Sequence, residues 1–265
     1  MPVVTGSGAG LVRSPPEIRG ERDHALRRPV GGMPEPPRLV GADMTTLGLI
    51  GSGMIGGTLA TLAVDAGYQV VLSNSRGPET LHELAAELGP LCRPATWAEA
   101  AEAADLVVVS TPVKAYAGLP AAPFAGKVVM DTGNYYPERD GQLAELDSGA
   151  LTSSELLARQ LPGAEVVKVF NNIFFKHLLS LARPAGAADR SYLPIAGDSA
   201  AAKAAVTTFL DSIGYGTVDA GTLADGWRQQ PGTPAYGPPY GSFDDEKGTP
   251  ASAEVIRAAL AAATR

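Results

Sequence analysis

The sequence predicts an α/β protein built on a doubly wound parallel sheet, with a small α/β extension at its C-terminal end. Two observations support this fold class. Short runs of Val, Ile and Leu alternate with Ala-rich segments in which apolar residues recur at i, i+3 and i+4. A glycine-rich turn also follows the first apolar run directly. Apolar strands that alternate with helices form parallel sheets covered on both faces, which is the doubly wound architecture.

The order of these runs defines the elements and regions. Strands are expected at 46–50, 69–73, 105–110, 126–131 and 164–170, with helices at 54–67, 78–89 and 96–105. Further strands are expected at 192–197 and 215–221, and further helices at 171–184, 199–214 and 251–263. We divide the chain into a dinucleotide-binding domain, 44–170, and a C-terminal region, 171–265, that completes the substrate site. The Pro-, Gly- and Arg-rich residues 1–43 lack an apolar period and are expected to form a disordered extension.

Composition limits the classes of function. The 265 residues carry a formal net charge of −7, which disfavours nucleic-acid partners because these require a clustered basic surface. One cysteine and three histidines exclude an intramolecular disulfide and a His- or Cys-rich metal site. The sequence has no run of 18 or more apolar residues, so we expect no membrane span and a cytoplasmic location. The chemistry is therefore expected to come from a bound cofactor, with small molecules as partners.

The glycine-rich turn has the spacing of a dinucleotide-binding site. Gly51, Gly53 and Gly56 form the pattern GxGxxG between the first strand and a helix. The first glycine permits a tight turn, the second lets the backbone approach a diphosphate, and the third lets the helix pack against the strand. The diphosphate would bind free N–H groups at the positive end of the helix. A purely structural turn is the alternative, but the order strand, turn, helix, strand favours the Rossmann fold and a bound dinucleotide.

The end of the second strand predicts which dinucleotide is bound. A site for NAD places an acidic residue there to accept hydrogen bonds from the ribose 2′-hydroxyl. This chain instead has Asn74, Ser75 and Arg76, 18 to 20 residues after Gly56. A guanidinium pairs with a 2′-phosphate, which a carboxylate would repel, and Ser75 and Asn74 can donate further hydrogen bonds. The expected cofactor is NADP(H); the alternative is an exposed loop arginine without a ligand.

Three further segments follow strand ends, where ligands of open α/β sheets bind. Thr111, Pro112 and Val113 follow the strand at 105–110 and are expected beside the nicotinamide. The polar candidates for the substrate follow the next two strands and are Asn134, Tyr135, Asn171 and Asn172. Ordinary turn chemistry is the alternative for each segment. No residue is assigned as catalytic; His177 is a weak candidate for a proton donor, since its context equally suits a helix packed on the sheet.

Together these segments resemble one family. The stretches "GLIGSGMIGGTLATLAVDAGYQVVLSNSRGPETL", "VVVSTPVKAY", "DTGNYYPERDG" and "VVKVFNNIFF" are similar to the NADPH-dependent F420 reductases (F420-dependent NADP oxidoreductases), in particular their actinobacterial branch. The resemblance covers about residues 46–240. It implies that Asn74, Ser75 and Arg76 hold the 2′-phosphate and that Thr111, Pro112 and Val113 lie beside the nicotinamide. It also implies a diphosphate-binding turn made of Gly51, Ser52, Gly53, Met54 and Ile55.

The resemblance also implies a reaction. Members of the family stack the deazaflavin ring of coenzyme F420 on the nicotinamide and transfer a hydride directly, without a covalent protein intermediate. The expected function is therefore hydride transfer between NADP(H) and F420, which agrees with the shortage of His and Cys. Two features depart from the family pattern. Met54 stands where Asn is common, and the Pro- and Tyr-rich 225–250 segment is longer than compact members need, so we expect it to reshape the second pocket.

Two other functions stay open at this point. An NADPH-dependent reductase of a small imine or carbonyl would share the fold, although such folds usually carry a long C-terminal helical domain and only about 95 residues follow residue 170 here. A non-catalytic NADPH-binding sensor is the second alternative. The Ala-rich segment 251–263 could dock on a second subunit, so a homodimer is compatible with the sequence. Neither the hydride acceptor nor the oligomeric state follows from the residues alone.

Overall fold

The structure, a computed structural model, describes residues 45–265, which lie within one compact unit. The disordered extension predicted for residues 1–43 lies outside the described residues. Eight strands of the described part form one sheet. In chain order they are β1 (Thr46–Ile50), β2 (Gln69–Ser73), β3 (Cys92–Pro94), β4 (Leu106–Val109), β5 (Val128–Asp131), β6 (Glu165–Lys168), β7 (Tyr192–Gly197) and β8 (Gly216–Asp219).

Helices connect the strands and cover both faces of the sheet. In the described part they are α1 (Met54–Asp65), α2 (His82–Leu88), α3 (Trp97–Ala103), α4 (Pro137–Asp140), α5 (Ala144–Asp147), α6 (Ser153–Gln160), α7 (Phe175–Ser180), α8 (Ala200–Ser212) and α9 (Ala253–Ala261). Short 3₁₀ turns lie at Pro78–Leu81, Val113–Gly118, Ala122–Phe124, Leu223–Gln229 and Pro238–Tyr240. Within residues 45–265, no helix is long and apolar enough to cross a bilayer.

The strands lie in the order β3-β2-β1-β4-β5-β6-β7-β8. Neighbours are parallel except β6 and β7, which pair antiparallel. The predicted doubly wound fold is confirmed. From β1 the chain proceeds to β2 on one side, and after β3 it crosses back to β4 on the other side. This reversal leaves a crevice at the carboxyl ends of β1 and β4, where ligands of such sheets bind.

Alternate residues of the central strands enter two separate cores, because successive side chains of a strand point to opposite faces. Val108 of β4 and Met130 of β5 join the core beneath α1, α7, α8 and α9. Val107 and Val109 join the core beneath α3 and α6. All four side chains are fully buried. The near-continuous apolar strands of the sequence are thus explained by helices on both faces.

The C-terminal region continues the same sheet. Helix α8 connects β7 to β8, and α9 packs against both strands. The domain boundary predicted at residue 171 stays a prediction; β6 and β7, which flank it, are hydrogen-bonded neighbours. Most of the 225–250 segment is irregular chain, in agreement with its lack of periodicity.

Four regular elements escape the sequence pattern, namely β3, α4, α5 and α6. Helices α4 and α5 have four residues each, too few to show a period. Strand β3 has three residues, including an arginine and a proline, and is too short to show a period. Helix α6 begins at a capping box in which the Thr152 N–H donates to Glu155 and the Glu155 N–H donates to Thr152. The spacing TxxE is visible in the sequence and is the signal that indicates α6.

Candidate cofactor and acceptor site

The glycine turn closes tightly at the crevice because its first and third glycines have no room for a side chain. Gly51 has φ of +110°, and its N–H donates to the Ser73 carbonyl at 3.0 Å. A Cβ at Gly51 would lie 2.3 Å from the Ser110 carbonyl oxygen, and a Cβ at Gly56 would lie 2.1 Å from the Gly51 carbonyl oxygen. These contacts bring β1, the start of α1 and the end of β4 together, as the motif predicts.

The middle glycine faces open space at the start of α1. A Cβ at Gly53 would meet no atom within 4 Å. Gly53 is also the N-cap of α1, without a side-chain cap and without an acidic residue in the first turn. Met54, the first helical residue, is 60% exposed. Uncapped N–H groups at a helix start attract anions, so this end of α1 fits the diphosphate of a dinucleotide.

At the end of β2, Asn74 shapes a turn that leaves Arg76 exposed. The Asn74 Oδ1 accepts the Arg76 N–H at 2.8 Å, and its Nδ2 donates to Thr80 Oγ1 at 2.9 Å. Ser75 and Arg76 are exposed. Within the described residues, no carboxylate or carbonyl contacts the Arg76 guanidinium. An unpaired guanidinium beside the dinucleotide turn fits a 2′-phosphate, while the Asn74 amide is already engaged within the turn.

The loop after β4 presents a hydroxyl at the same crevice. The Thr111 methyl group would lie 3.2 Å from a Cβ at Gly51, so Thr111 lies over the glycine turn. Its Oγ1 is buried and has no hydrogen-bond partner among the described residues. Pro112 is exposed, whereas Val113 packs into the core beneath the loop. Thr111 therefore keeps hydrogen-bonding capacity next to the turn, which fits the predicted nicotinamide side.

Asn134 and Asn171, both predicted for the substrate, bind each other. Asn134 Nδ2 donates to the Asn171 carbonyl at 2.7 Å, and Asn171 Nδ2 donates to Asn134 Oδ1 at 3.0 Å. Asn171 also exchanges hydrogen bonds with Gln229, a residue that the sequence pattern does not single out. The amides thus tie together the loops after β5 and β6 and the 225–250 segment. Direct contact of these side chains with a substrate stays a prediction.

Asn172 and Tyr135 hold neighbouring loops in the same way. Asn172 is 1% exposed; its Nδ2 donates to the Ala235 carbonyl at 2.8 Å, and its own carbonyl accepts the Gly237 N–H at 2.9 Å. The Tyr135 hydroxyl donates to Asp147 at 2.7 Å and accepts the Leu143 N–H at 2.9 Å. For both residues the observed contacts are with protein, and binding of substrate stays a prediction.

A buried charged pair supports the loop after β5. Lys168 of β6 and Asp131 of β5 are both fully buried, with 3.9 Å between Nζ and Oδ2. Lys168 Nζ donates to the Gly133 carbonyl at 2.9 Å, and Asp131 Oδ1 accepts the Gly133 N–H at 2.8 Å. Burial lowers the pKa of Lys168, and the Asp131 carboxylate opposes this shift. Both backbone groups of Gly133 are therefore fixed immediately before Asn134.

The backbone after β6 takes an unusual conformation. Phe170 has φ of +64° and is the one non-glycine residue of residues 45–265 with positive φ. Its ring is fully buried and packs edge-on against Phe209, with centroids 6.4 Å apart. Such conformations persist where packing enforces them, often at functional sites. Here the turn at Phe170 directs the chain from β6 into the pair Asn171 and Asn172.

His177 lies on α7, the helix that follows β6. Its ring is fully buried, its Nε2 contacts the Asp245 carbonyl, and it packs edge-on against Phe174 with centroids 5.3 Å apart. The role of His177 as a proton donor stays a prediction, as does the alternative of a helix packed on the sheet. In residues 45–265, no cluster of three or more His, Cys, Asp or Glu side chains could hold a metal ion.

The family follows from comparisons with known proteins. Residues 46–135 match the sequence model of the family described as NADP oxidoreductase, coenzyme F420-dependent. That range contains the glycine turn, residues 74–76, and the loops after β4 and β5 up to Tyr135. The match therefore covers the residues that shape the candidate NADP site.

Solved and curated proteins agree with this match. The chain is 30% identical to hypothetical protein SMa0349 of Sinorhizobium meliloti, over 71% of this chain and 91% of that one, with a TM-score of 0.62. It is 27% identical to a candidate F420-dependent NADP reductase of Arthrobacter sp. FB24, over 68% and 86% of the two chains, with a TM-score of 0.57.

The matches to curated relatives cover less than half of those proteins. Metalloreductase STEAP3 of Rattus norvegicus is 32% identical over 216 residues, 78% of this chain and 40% of that one. The chain spans about two fifths of the length of the curated relatives it matches. The fold, the dinucleotide turn and the family match all indicate an NADP-dependent oxidoreductase. The chain belongs to the coenzyme F420-dependent NADP oxidoreductase family.

Proposed function

We propose that the chain transfers a hydride between NADP(H) and the deazaflavin coenzyme F420. The observation that carries the NADP half is the unpaired Arg76 guanidinium at the end of β2, beside the uncapped start of α1. The guanidinium fits the 2′-phosphate and the helix start fits the diphosphate, and these are the two anionic groups of NADP. The family match over residues 46–135 and the likeness to the Arthrobacter protein support F420 as the second cofactor.

Each predicted residue has a distinct part in this proposal. The backbone of the turn from Gly51 to Ile55 binds the diphosphate, Arg76 and Ser75 bind the 2′-phosphate, and Thr111 hydrogen-bonds the nicotinamide end. Bound NADPH supplies the hydride. The chain contributes by holding the two cofactors at a fixed separation and by keeping water from the crevice, which accounts for a large part of the rate of such reactions.

The titratable groups near the strand ends agree with a positioning role. Lys168, Asp131 and His177 are fully buried and engaged with protein groups. A direct hydride transfer needs no covalent intermediate on the protein, so this arrangement suits the proposed reaction.

An anaerobic assay tests the proposal. Purified protein is mixed with F420 and either NADPH or NADH, and the loss of absorbance of the oxidised deazaflavin is followed. We expect turnover with NADPH and a kcat/KM at least about tenfold lower with NADH, because a charged hydrogen-bond partner is lost. Reduction of a cyclic imine or of ferric citrate without any reduction of F420 would reject the proposal. Tight NADPH binding without turnover of any acceptor would instead support the sensor alternative.

A further inference from the structure

Two tyrosines meet at the loops around the crevice. Tyr136 follows β5 and Tyr236 belongs to the 225–250 segment, and their hydroxyl oxygens lie 2.5 Å apart. Both residues are partly exposed. Two phenols carry two protons, and the hydrogen bond between them uses one. Neither hydroxyl has another partner among the described residues, so one O–H remains free to donate.

Tyr136 is held close to the predicted nicotinamide side. Its N–H donates to Asp140 Oδ2 at 3.1 Å, and the Arg139 guanidinium lies over its ring, 5.0 Å from the centroid. The same short helix, α4, is bonded to Lys114, whose N–H donates to Asp140 Oδ1 at 3.4 Å and whose Nζ donates to the Arg139 carbonyl at 3.0 Å. Lys114 follows Thr111 by three residues, so the Tyr136 turn is fixed to the loop after β4.

Tyr236 is held from both sides by one buried amide residue. Asn172 donates to the carbonyl of Ala235 and accepts the N–H of Gly237, the two neighbours of Tyr236 in the chain. Asn172 lies two residues after Phe170, the residue with positive φ that follows β6. The loop after β5 thus supplies Tyr136, and the loop after β6 holds Tyr236 of the 225–250 segment through Asn172.

We propose that the Tyr136–Tyr236 pair binds the hydride acceptor by donating its free O–H to a carbonyl oxygen of a planar heterocycle, with Asn172 as a positioning residue. This inference rests on the proposed function; for F420 the carbonyl oxygens are those of the pyrimidine ring of the deazaflavin. Burial raises the pKa of both hydroxyls, so both are protonated and able to donate at neutral pH. The segment that departs in length from compact family members would then supply one of the two hydroxyls.

The variants Tyr136→Phe, Tyr236→Phe and the double variant test this assignment. At saturating NADPH we expect each single variant to raise the KM for F420 by about 3- to 10-fold with kcat within about twofold of wild type, because the remaining phenol loses the hydrogen bond that orients its O–H. The double variant should raise the KM further, because each single variant keeps one phenol O–H and only the double variant removes both. The Kd of F420 for the protein loaded with NADP⁺ should rise by the same factor, which provides a readout without turnover.

A matched control removes a hydroxyl from a similar pair far from the crevice. Tyr68 directly precedes β2, at the amino-terminal end of that strand, and its hydroxyl lies 3.0 Å from Ser212 Oγ. Tyr68→Phe should leave the KM for F420 and the Kd of NADPH unchanged. A purely structural role of the tyrosine pair would instead lower the melting temperature and weaken NADPH binding along with F420 binding, and that result would overturn the assignment.

The outcomes separate this inference from the proposed function. If wild type reduces F420 but the variants keep the wild-type KM and Kd, the proposed function is supported and the assignment of the tyrosine pair is wrong. If wild type reduces only another carbonyl-bearing acceptor and the variants lose affinity for it, F420 is rejected as the acceptor and the assignment of the tyrosine pair is supported. If wild type neither binds nor reduces any acceptor, both are overturned.

Discussion

Arg76 is the residue on which the proposed choice of cofactor depends. Its guanidinium is exposed and has no partner among the described residues. Arg76→Ala is expected to raise the Kd of NADPH by about 10- to 100-fold, because hydrogen bonds to charged groups contribute about 1.5–3 kcal/mol. The Kd of NADH should stay within about twofold of wild type, since NADH lacks the 2′-phosphate. Titration of each dinucleotide by its fluorescence provides both constants.

A second arginine controls for loss of positive charge alone. Arg257 on α9 is exposed and lies near Glu254 at 3.5 Å. Arg257→Ala should leave both dinucleotide affinities unchanged, since surface ion pairs contribute little. Equal weakening of NADPH and NADH by Arg76→Ala would contradict the assignment of the 2′-phosphate site.

For single residues, the sequence predicts which side chains belong to a binding motif better than it predicts their hydrogen-bond partners. Spacing alone locates Gly51, Gly53 and Arg76, since motif and backbone conformation are local. The partners of Asn171 and Asn172 are not local: they lie 58 and 63 residues away, at Gln229 and Ala235. An asparagine after a strand suits a ligand contact or a loop contact equally well. Lys168 in the apolar run "VVKVF" is a visible exception to the pattern, and it marks the buried pair with Asp131.

Among the elements, α1 provides a matched pair of glycines. A Cβ at Gly56 would collide with the Gly51 carbonyl at 2.1 Å, whereas a Cβ at Gly57 would meet no atom within 4 Å. Gly56→Ala should lower the free energy of unfolding by about 1–3 kcal/mol through overpacking and should weaken NADPH binding. Gly57→Ala should raise the free energy of unfolding by up to about 1 kcal/mol, because alanine favours helix. Urea unfolding of both variants measures the difference, and similar effects would refute the close approach of α1 to β1.

The buried pair joins β5 and β6 to α6, since Lys168 Nζ donates to Ser154 Oγ at 3.1 Å and Ser154 Oγ donates to Asp131 Oδ2 at 2.7 Å. Lys168→Met is expected to lower the free energy of unfolding by about 3–5 kcal/mol, because it leaves the Asp131 carboxylate buried without a cation. The double variant Lys168→Met, Asp131→Asn should recover part of this loss, since no buried charge then remains. Urea unfolding of the two proteins gives the comparison. A single variant as stable as wild type would show that the pair is dispensable.

Elements are predictable where their signal is periodic and long enough. Strands β1 and β2 match the predicted 46–50 and 69–73, and β7 matches 192–197. Strand β3 is only three residues long and contains Pro94, so its pairing with β2 is determined by the sheet rather than by its own residues. The antiparallel direction of β7 is likewise a tertiary property, because its apolar residues would suit either direction.

For the whole molecule, buried tyrosines predict a loss of stability in alkali. Burial raises the pKa of Tyr215, whose hydroxyl donates to the Leu178 carbonyl at 2.7 Å. Above the ordinary pKa of about 10 the unfolded chain ionises first, so this contribution is complete below pH 10 and is lost as pH rises. Tyr215→Phe should reduce the slope of unfolding free energy against pH above pH 10 by up to about 1.4 kcal/mol per pH unit. Urea unfolding of wild type and Tyr215→Phe between pH 8 and 11 measures the two slopes. Equal slopes for the two proteins would contradict the prediction.

The 225–250 segment shows where sequence reasoning ends at this scale. Its Gly, Pro and Tyr content predicts irregular chain, and the structure agrees. Its place depends on contacts with distant residues, including Asn172 with Ala235 and Ser180 with Lys247. No local pattern encodes those partners. The contacts of the segment with the loop after β6 and with α7 are therefore visible only in the folded chain.

The central claim is direct hydride transfer between the two cofactors, and isotope transfer tests it most directly. NADPH with deuterium in place of both C4 hydrogens of the nicotinamide is mixed with the protein and F420 in ordinary water. The mass of the reduced deazaflavin is then measured by mass spectrometry. The account predicts that each reduced F420 gains one deuterium from NADPH. Reduced F420 without deuterium, or no reduction of F420 at all, would contradict it.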